Sequence, residues 1–86
     1  MSSPFDHRVR AGVMAYLSDR SSADFVELAT ALEVPNNLLS AHIQRLEAEG
    51  LIKTERSFID RKRNTRVVVT NKGRRAWAGY LDGMDA

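Results

Sequence analysis

Residues 34–52, VPNNLLSAHIQRLEAEGLI, decide how the rest of the chain is read. A proline and two asparagines open the stretch; a glycine and two apolar residues close it. Between them Leu39, Ile43 and Leu46 recur at helical spacing, with Leu38 and His42 at the border of the stripe. The spacing predicts a helix over 36–49, capped by Asn36 and stopped by Gly50 in a left-handed conformation. At about 100° per residue, Asn37, Ala41 and Gln44 fall opposite the stripe, flanked by Ser40 and Arg45. That outer face carries small polar residues where long charged ones would serve solubility better. Taken alone, it is also the pattern of an ordinary amphipathic helix. Capping accounts for Asn36 and helix propensity for Gln44, so the neighbouring segments decide its meaning.

Upstream, FDHRVRAGVMAYLSDR places Val9, Val13, Tyr16 and Leu17 on one helical face, with Asp6 as the expected cap of a helix over about 6–18. Residues 18–22 break the pattern. In ADFVELATALEV, Asp24 and Glu27 have the spacing of a capping box, and Phe25, Leu28, Ala29 and Leu32 form a stripe. This second helix is short and ends near Glu33, because Pro35 disfavours helix at the residue before it. A short helix thus meets a longer one across EVPNN.

Downstream the period changes to two. LIKTERSF alternates with Ile52, Thr54, Arg56 and Phe58 on one side, imperfectly, since Arg56 sits on the apolar side. IDRKRN reads as a charged turn and TRVVVT as the returning strand of a hairpin, with the turn region over 59–65. Thr70 or Asn71 caps a last helix over 71–84, with Ala76, Trp77, Tyr80, Leu81 and Met84 as its apolar positions. Gly73, Gly79 and Gly83 weaken it by about 1 kcal/mol each relative to alanine. The fold class is therefore α+β and mostly helical: three helices, a β-hairpin wing and a C-terminal helix, the layout of a winged helix-turn-helix.

The chain has 86 residues, which reads as a single domain over 1–86 with a modest core. With no cysteine and only His7 and His42 as histidines, disulfides, thiolate metal sites and a zinc site are not expected, and no cofactor is implied. There is no glycine-rich phosphate loop and no nucleophile–base set, so an enzyme is not expected. No run approaches a membrane span and MSSPFDHRVR has no apolar signal core, which predicts a soluble cytoplasmic protein without a membrane partner. Nothing singles out a small-molecule effector.

The net charge is only +2, yet from Lys53 to Arg75 nine basic residues stand against Glu55 and Asp60. Arg61, Lys62 and Arg63 cluster at the expected hairpin tip, where like charges repel and gain nothing from the fold. A polyanion offsets that cost, so helix and wing together imply a nucleic-acid partner: double-stranded DNA before RNA or a single strand, because the exposed aromatics expected for base stacking are scarce among the basic residues. A major groove about 12 Å wide admits a helix whose outer face is small, and Gln or Asn pairs bidentately with adenine. His42 reads as a packed or hydrogen-bonded residue.

The segments ELATALEVPNNLLSAHIQRLEAEGLI and KTERSFIDRKRNTRVVVTNKGRRAW together resemble a winged helix-turn-helix transcriptional regulator, close to the small regulators of the MarR and ArsR groups. The resemblance covers roughly residues 8–81. It implies a third helix in the major groove, a wing on the backbone or neighbouring minor groove, and terminal helices forming a homodimer. By position, Asn37, Ser40, Ala41 and Gln44 would face bases. Asn36, Arg45, Arg61, Lys62 and Arg63 would meet phosphate or the minor groove, and Asp60 would brace a neighbouring arginine. Val9, Val13, Tyr16, Trp77, Tyr80, Leu81 and Met84 would build the dimer seam. The chain departs from full MarR proteins in lacking their extra helices, and from ArsR proteins in lacking cysteine ligands. The expected role is a homodimeric repressor. The alternative is a winged-helix protein–protein interaction module that docks a partner through the Trp77 stripe or the third helix.

Overall fold

A computed structural model of the chain describes residues 3–84. The element order is α1 (Arg8–Ser18), β1 (Ser22–Asp24), α2 (Phe25–Leu32), α3 (Asn36–Ala48), β2 (Ile52–Ile59), β3 (Lys62–Val69) and α4 (Asn71–Met84). The strands form one antiparallel sheet in the order β1-β3-β2. The expected winged helix-turn-helix is present, with one addition: β1 is too short to show a period, and it pairs Ser22 with Val68 and Asp24 with Arg66.

That small strand changes how α2 begins. Asp24 occupies the N-cap position but makes no capping bond. Its carboxylate instead accepts from Arg66 at 2.9 Å, directly across the β1–β3 ladder. Glu27 accepts from the Tyr16 hydroxyl at 2.5 Å. The expected capping box is therefore replaced by two longer-range contacts. Two other caps also differ. His7, not Asp6, caps α1, its Nδ1 accepting from the Val9 N–H, while the Asp6 carboxylate accepts from the Ser3 N–H. Pro35, not Asn36, holds the N-cap position of α3 through its extended backbone, and its carbonyl accepts the first intrahelical bond from Leu39. Asn36 is thereby the first helical residue, with an exposed side chain.

Helix α3 ends as expected. Gly50 has φ +75°, and the Leu51 N–H reaches back to the Leu46 carbonyl, the closing bond of a left-handed helix stop. Thr70 then ties this exit to the start of α4: its hydroxyl donates to the Gly50 carbonyl at 2.7 Å and accepts from the Gly73 N–H at 2.9 Å. Gly73 is required here for space. A Cβ would stand 2.0 Å from the Leu51 carbonyl oxygen, so close packing of α4 on the α3 exit excludes every other residue.

The core runs through α1, α2, α3 and the wing root, with Met14, Leu17, Leu28, Leu39, Leu46, Ile52 and Val67 fully buried. Beyond the root the wing stands clear of the body. Its strands are eight residues each and remain paired up to Ile59–Lys62, so the turn is only Asp60 and Arg61. Both turn residues have positive φ, 50° and 66°, as a two-residue hairpin turn that follows the strand twist demands. The loop expected over 59–65 is thus mostly strand, because charged residues on a solvated hairpin pair their backbones as readily as apolar ones. Asp60 serves as a turn residue and, among the described residues, forms no ion pair with an arginine. Among the described residues no helix is long and apolar enough to cross a membrane.

Candidate nucleic-acid interface

Pairing register sorts the wing residues onto two faces. Ile52 with Val69, Thr54 with Val67, Arg56 with Thr65, and Phe58 with Arg63 share one face. Its root is buried; its outer half is exposed and turns toward α3. The opposite face carries Lys53, Glu55, Ser57 and Ile59 with their partners Val68, Arg66, Asn64 and Lys62.

Between α3 and the first face lies an open groove of about 250 Å³. Ser40, Gln44 and Glu47 form one wall; Thr54, Arg56, Arg63 and Thr65 form the other. Glu47 fixes the angle between the two: its carboxylate accepts from both the N–H and the hydroxyl of Thr54, at 3.2 and 2.9 Å. The acid so placed is spent on the wing root, and the cations beyond it have no such partner. Among the described residues Arg56, Arg61, Lys62 and Arg63 pair with no carboxylate.

The basic segment therefore divides. Arg66 is held by Asp24 and by the Ser22 hydroxyl, and Arg74 donates to the Ser21 hydroxyl and the Ser18 carbonyl. These two arginines pin β1 and the α1 exit to the sheet and α4. Of the basic residues without a carboxylate partner among those described, Arg56, Arg61, Lys62 and Arg63 are gathered along the wing, and Lys72 and Arg75 stand on α4.

Of the residues expected at the interface, Ser40 and Gln44 meet Arg63 in the groove, and Asn36, Asn37 and Ala41 lie exposed on α3. Arg61 sits at the wing tip. Lys62 is placed on the opposite face of the hairpin, away from the groove. Arg45 forms an exposed pair with Glu49 at 3.1 Å; such helix pairs contribute about 0.3–0.5 kcal/mol, so it exchanges readily for a phosphate. Arg56 and Glu47 line the groove although the sequence pattern does not single them out for it. The signal for Arg56 is its parity in LIKTERSF: an arginine at an apolar position marks where the strand leaves the core.

The other flank of α3 is closed. His42 Nδ1 bonds the Arg10 guanidinium at 3.0 Å and its ring packs on His7 with centroids 4.1 Å apart. Burial, then the neighbouring His7 and Arg10 charges, hold His42 below its ordinary value of 6.5.

The expected dimer seam is only partly available. Val9 and Val13 are 3% and 0% exposed, buried in the protomer's own core. A second copy cannot touch them, and they drop out of the seam. Trp77 and Tyr80 are half-buried against Phe5, edge to face at 5.3 Å each. Tyr16 is half-exposed and donates to Glu27. Leu81 and Met84 are 43% and 66% exposed. Beside them a depression of about 230 Å³ opens between α1 and α4, lined by Met14, Trp77, Ala78 and Leu81 among others.

An exposed polar helix set beside a cationic hairpin at a fixed angle defines a winged helix DNA-binding domain of the kind transcriptional regulators use. The family model described as winged helix DNA-binding domain matches residues 9–86, and the chain belongs to that family. It is 31% identical over 77 residues to an uncharacterised protein of Methanocaldococcus jannaschii, covering 90% of this chain and 84% of that one. Among solved structures it is similar to a transcriptional regulator homologue protein from Pyrococcus horikoshii, with TM-score 0.78, 30% identity, and coverage of 96% and 89% of the two chains. Regulators of the MarR type share the fold. One is BpsR of Bordetella bronchiseptica, at TM-score 0.79 and 19% identity over 99% of this chain and 64% of that one.

Proposed function

We propose that the chain is a transcriptional regulator that binds duplex DNA as a homodimer and represses by occluding its site. It acts in the cytoplasm, with no cofactor and no catalytic activity of its own. The observation that carries this reading is the α3–wing groove. Gln44 and Ser40 stand on the wall that reads bases, and Arg56 and Arg63 stand unpaired on the wall that meets phosphate. Base contacts specify and phosphate contacts position, and the two walls separate those tasks. The α3 N-terminus, with Asn36 and Asn37 exposed in its first turn, adds backbone N–H groups that suit a phosphate.

The homodimer is supported by Leu81 and Met84, which lie open on α4 beside the half-exposed Trp77, Tyr80 and Tyr16. A two-fold pair would double the phosphate contacts and present two α3 helices to half-sites about 34–36 Å apart. In BpsR, DNA binding is regulated by 6-hydroxynicotinic acid. The resemblance here covers the DNA-binding fold and carries no effector with it.

The test is fluorescence anisotropy with the duplex upstream of the protein's own gene against a scrambled duplex, at low and moderate salt. Preferential, salt-sensitive binding with two protomers per site is the expected outcome. Gln44→Ala should lower specific affinity by about 1–3 kcal/mol and leave scrambled-duplex affinity nearly unchanged. Equal losses on both would remove Gln44 from base readout. A folded dimer with no affinity for either duplex would overturn the regulator and favour a protein-docking module.

A further inference from the structure

Phe58 is 75% exposed, the most exposed large hydrophobic residue among those described. It projects from β2 one cross-strand pair before the turn-closing pair, directly opposite Arg63 and on the same face as Arg56. Arg56, Ser57, Phe58 and Arg63 together line a shallow depression there. Nothing in the fold requires an aromatic ring at this position: the core ends at Thr54, and an exposed phenyl on an edge strand invites aggregation.

Its distance from α3 indicates what the ring meets. Thr54 donates to the Glu47 carboxylate of α3 from its N–H and its hydroxyl, so it stands one hydrogen bond outside the side-chain radius of the helix, about 8–9 Å from the axis. Phe58 is four residues further out, about 13 Å along the strand. A strand running straight away from α3 would carry Phe58 to about 21–22 Å from the α3 axis, and a strand inclined to it less. A helical turn of duplex DNA spans about 34–36 Å, so half a turn, from the centre of a major groove to the centre of the next minor groove, is about 17–18 Å. Arg56, two residues nearer, lines the groove beside α3, and Phe58 stands about 7 Å further out along the strand. The reach from α3 to Phe58 thus spans the half-turn that separates the two grooves, with Arg56 on the α3 side of the ring.

Resting on the DNA-binding reading above, we propose that Phe58 is an apolar wedge in the minor groove. It partly unstacks one base step while Arg56 and Arg63 hold the flanking phosphates. Apolar side chains inserted from the minor groove kink DNA in this way. The cost is least at pyrimidine–purine steps, so the wedge gives the protein a preference at a step α3 does not touch. Charge decides against other occupants. A second copy would bring the same unpaired arginines face to face, and an apolar protein surface would bury them. Duplex DNA offers phosphates for the arginines and sugar and base faces for the ring.

The experiment uses duplexes of about 30 base pairs, three helical turns, selected from a randomised pool by the wild-type chain, with 2-aminopurine placed at successive positions across each half-site. Wild-type protein should raise the fluorescence at a step about five base pairs from the centre of the α3 contact. Phe58→Ala should abolish that rise and weaken binding about tenfold when a TA or CA step stands there. Its salt slope should be unchanged, since no charge is removed. Phe58→Leu should retain most of the rise. Wild-type binding that is salt-sensitive but leaves every 2-aminopurine dark, with Phe58→Ala equal to wild type, would overturn the wedge and leave the DNA-binding reading standing. Absence of salt-sensitive binding by the wild type would overturn both. A change in sedimentation of Phe58→Ala with DNA affinity unaltered would reassign the ring to self-association.

Discussion

Ile52 and Phe58 stand on the same face of the same strand, six residues apart, under opposite conditions. Ile52 is sealed under α3 and paired with Val69; Phe58 is open to solvent and paired with an arginine. The two halves of the wing share a backbone ladder but not a purpose. In the root, side chains are chosen by the core: Ile52, Val67 and Val69 bury, Thr54 is gripped by Glu47, and Arg66 is neutralised by Asp24. In the outer half no carboxylate answers the cations. Charges a fold leaves unpaired at one end of a rigid element, while pairing them at the other, are positioned for something outside it.

The largest expected effect falls on the root. Ile52→Ala should cost about 2–4 kcal/mol, the cavity and transfer cost of a fully buried isoleucine, read as a lower urea midpoint. Next comes the outer half. Arg56→Ala with Arg63→Ala should leave stability within about 0.5 kcal/mol of wild type. The same pair should weaken duplex binding about 10- to 100-fold and lower the salt slope by about 2, since each arginine neutralises one phosphate. A double variant that loses stability but keeps its salt slope would break the comparison, because the outer half would then be structural as well.

This division explains what can be read from the residues alone. The apolar stripes of α1 to α3, the Gly50 stop and the α4 entry at Thr70 are set by local chemistry and period, and they stand where that chemistry puts them. Ser40 and Gln44 are legible because a helix fixes its own faces. The features that differ all depend on a partner distant in sequence. Asp24 caps nothing because Arg66, 42 residues later, claims it. The wing extends past 59 because solvated strands pair without an apolar signature. Val9 and Val13 look like a seam on a helical wheel, but α1 is the central helix and is covered on that face by the protomer itself. Arg56 reads as a flaw in an apolar alternation until the register shows the alternation passing from core to groove.

The turn that joins the strands gives a smaller and two-signed test. Arg61 sits at φ 66°, a position that glycine fills without strain. Arg61→Gly should raise stability by about 0.5–1 kcal/mol and lower the DNA salt slope by about 1. The two readouts move in opposite directions only if the residue is kept for its charge and not for the turn. A stability gain with no change in slope would place the wing tip off the DNA.

The smallest effect belongs to the flank of α3 away from the wing, where Arg10 and His42 are bonded to each other. His42 is held below 6.5 by burial and by the charges of His7 and Arg10, and its Nδ1 takes the Arg10 bond only while the ring is neutral. A histidine whose folded value is depressed binds its proton more readily in the unfolded chain. Its contribution to stability is therefore fully present above about 6.5. It is lost as pH falls from there toward the lowered folded value. Thermal midpoints of the wild type should drop as pH falls below about 6.5, and His42→Gln, whose amide oxygen can still accept from Arg10, should flatten that part of the profile. DNA affinity at about pH 7.5 should be the same for both within about twofold, because His42 and Arg10 are bonded to each other and not turned to a phosphate. If His42→Gln weakens DNA binding at that pH while its stability is unchanged, the interface wraps both flanks of α3, and pairing within the fold is not what separates structural from functional cations here.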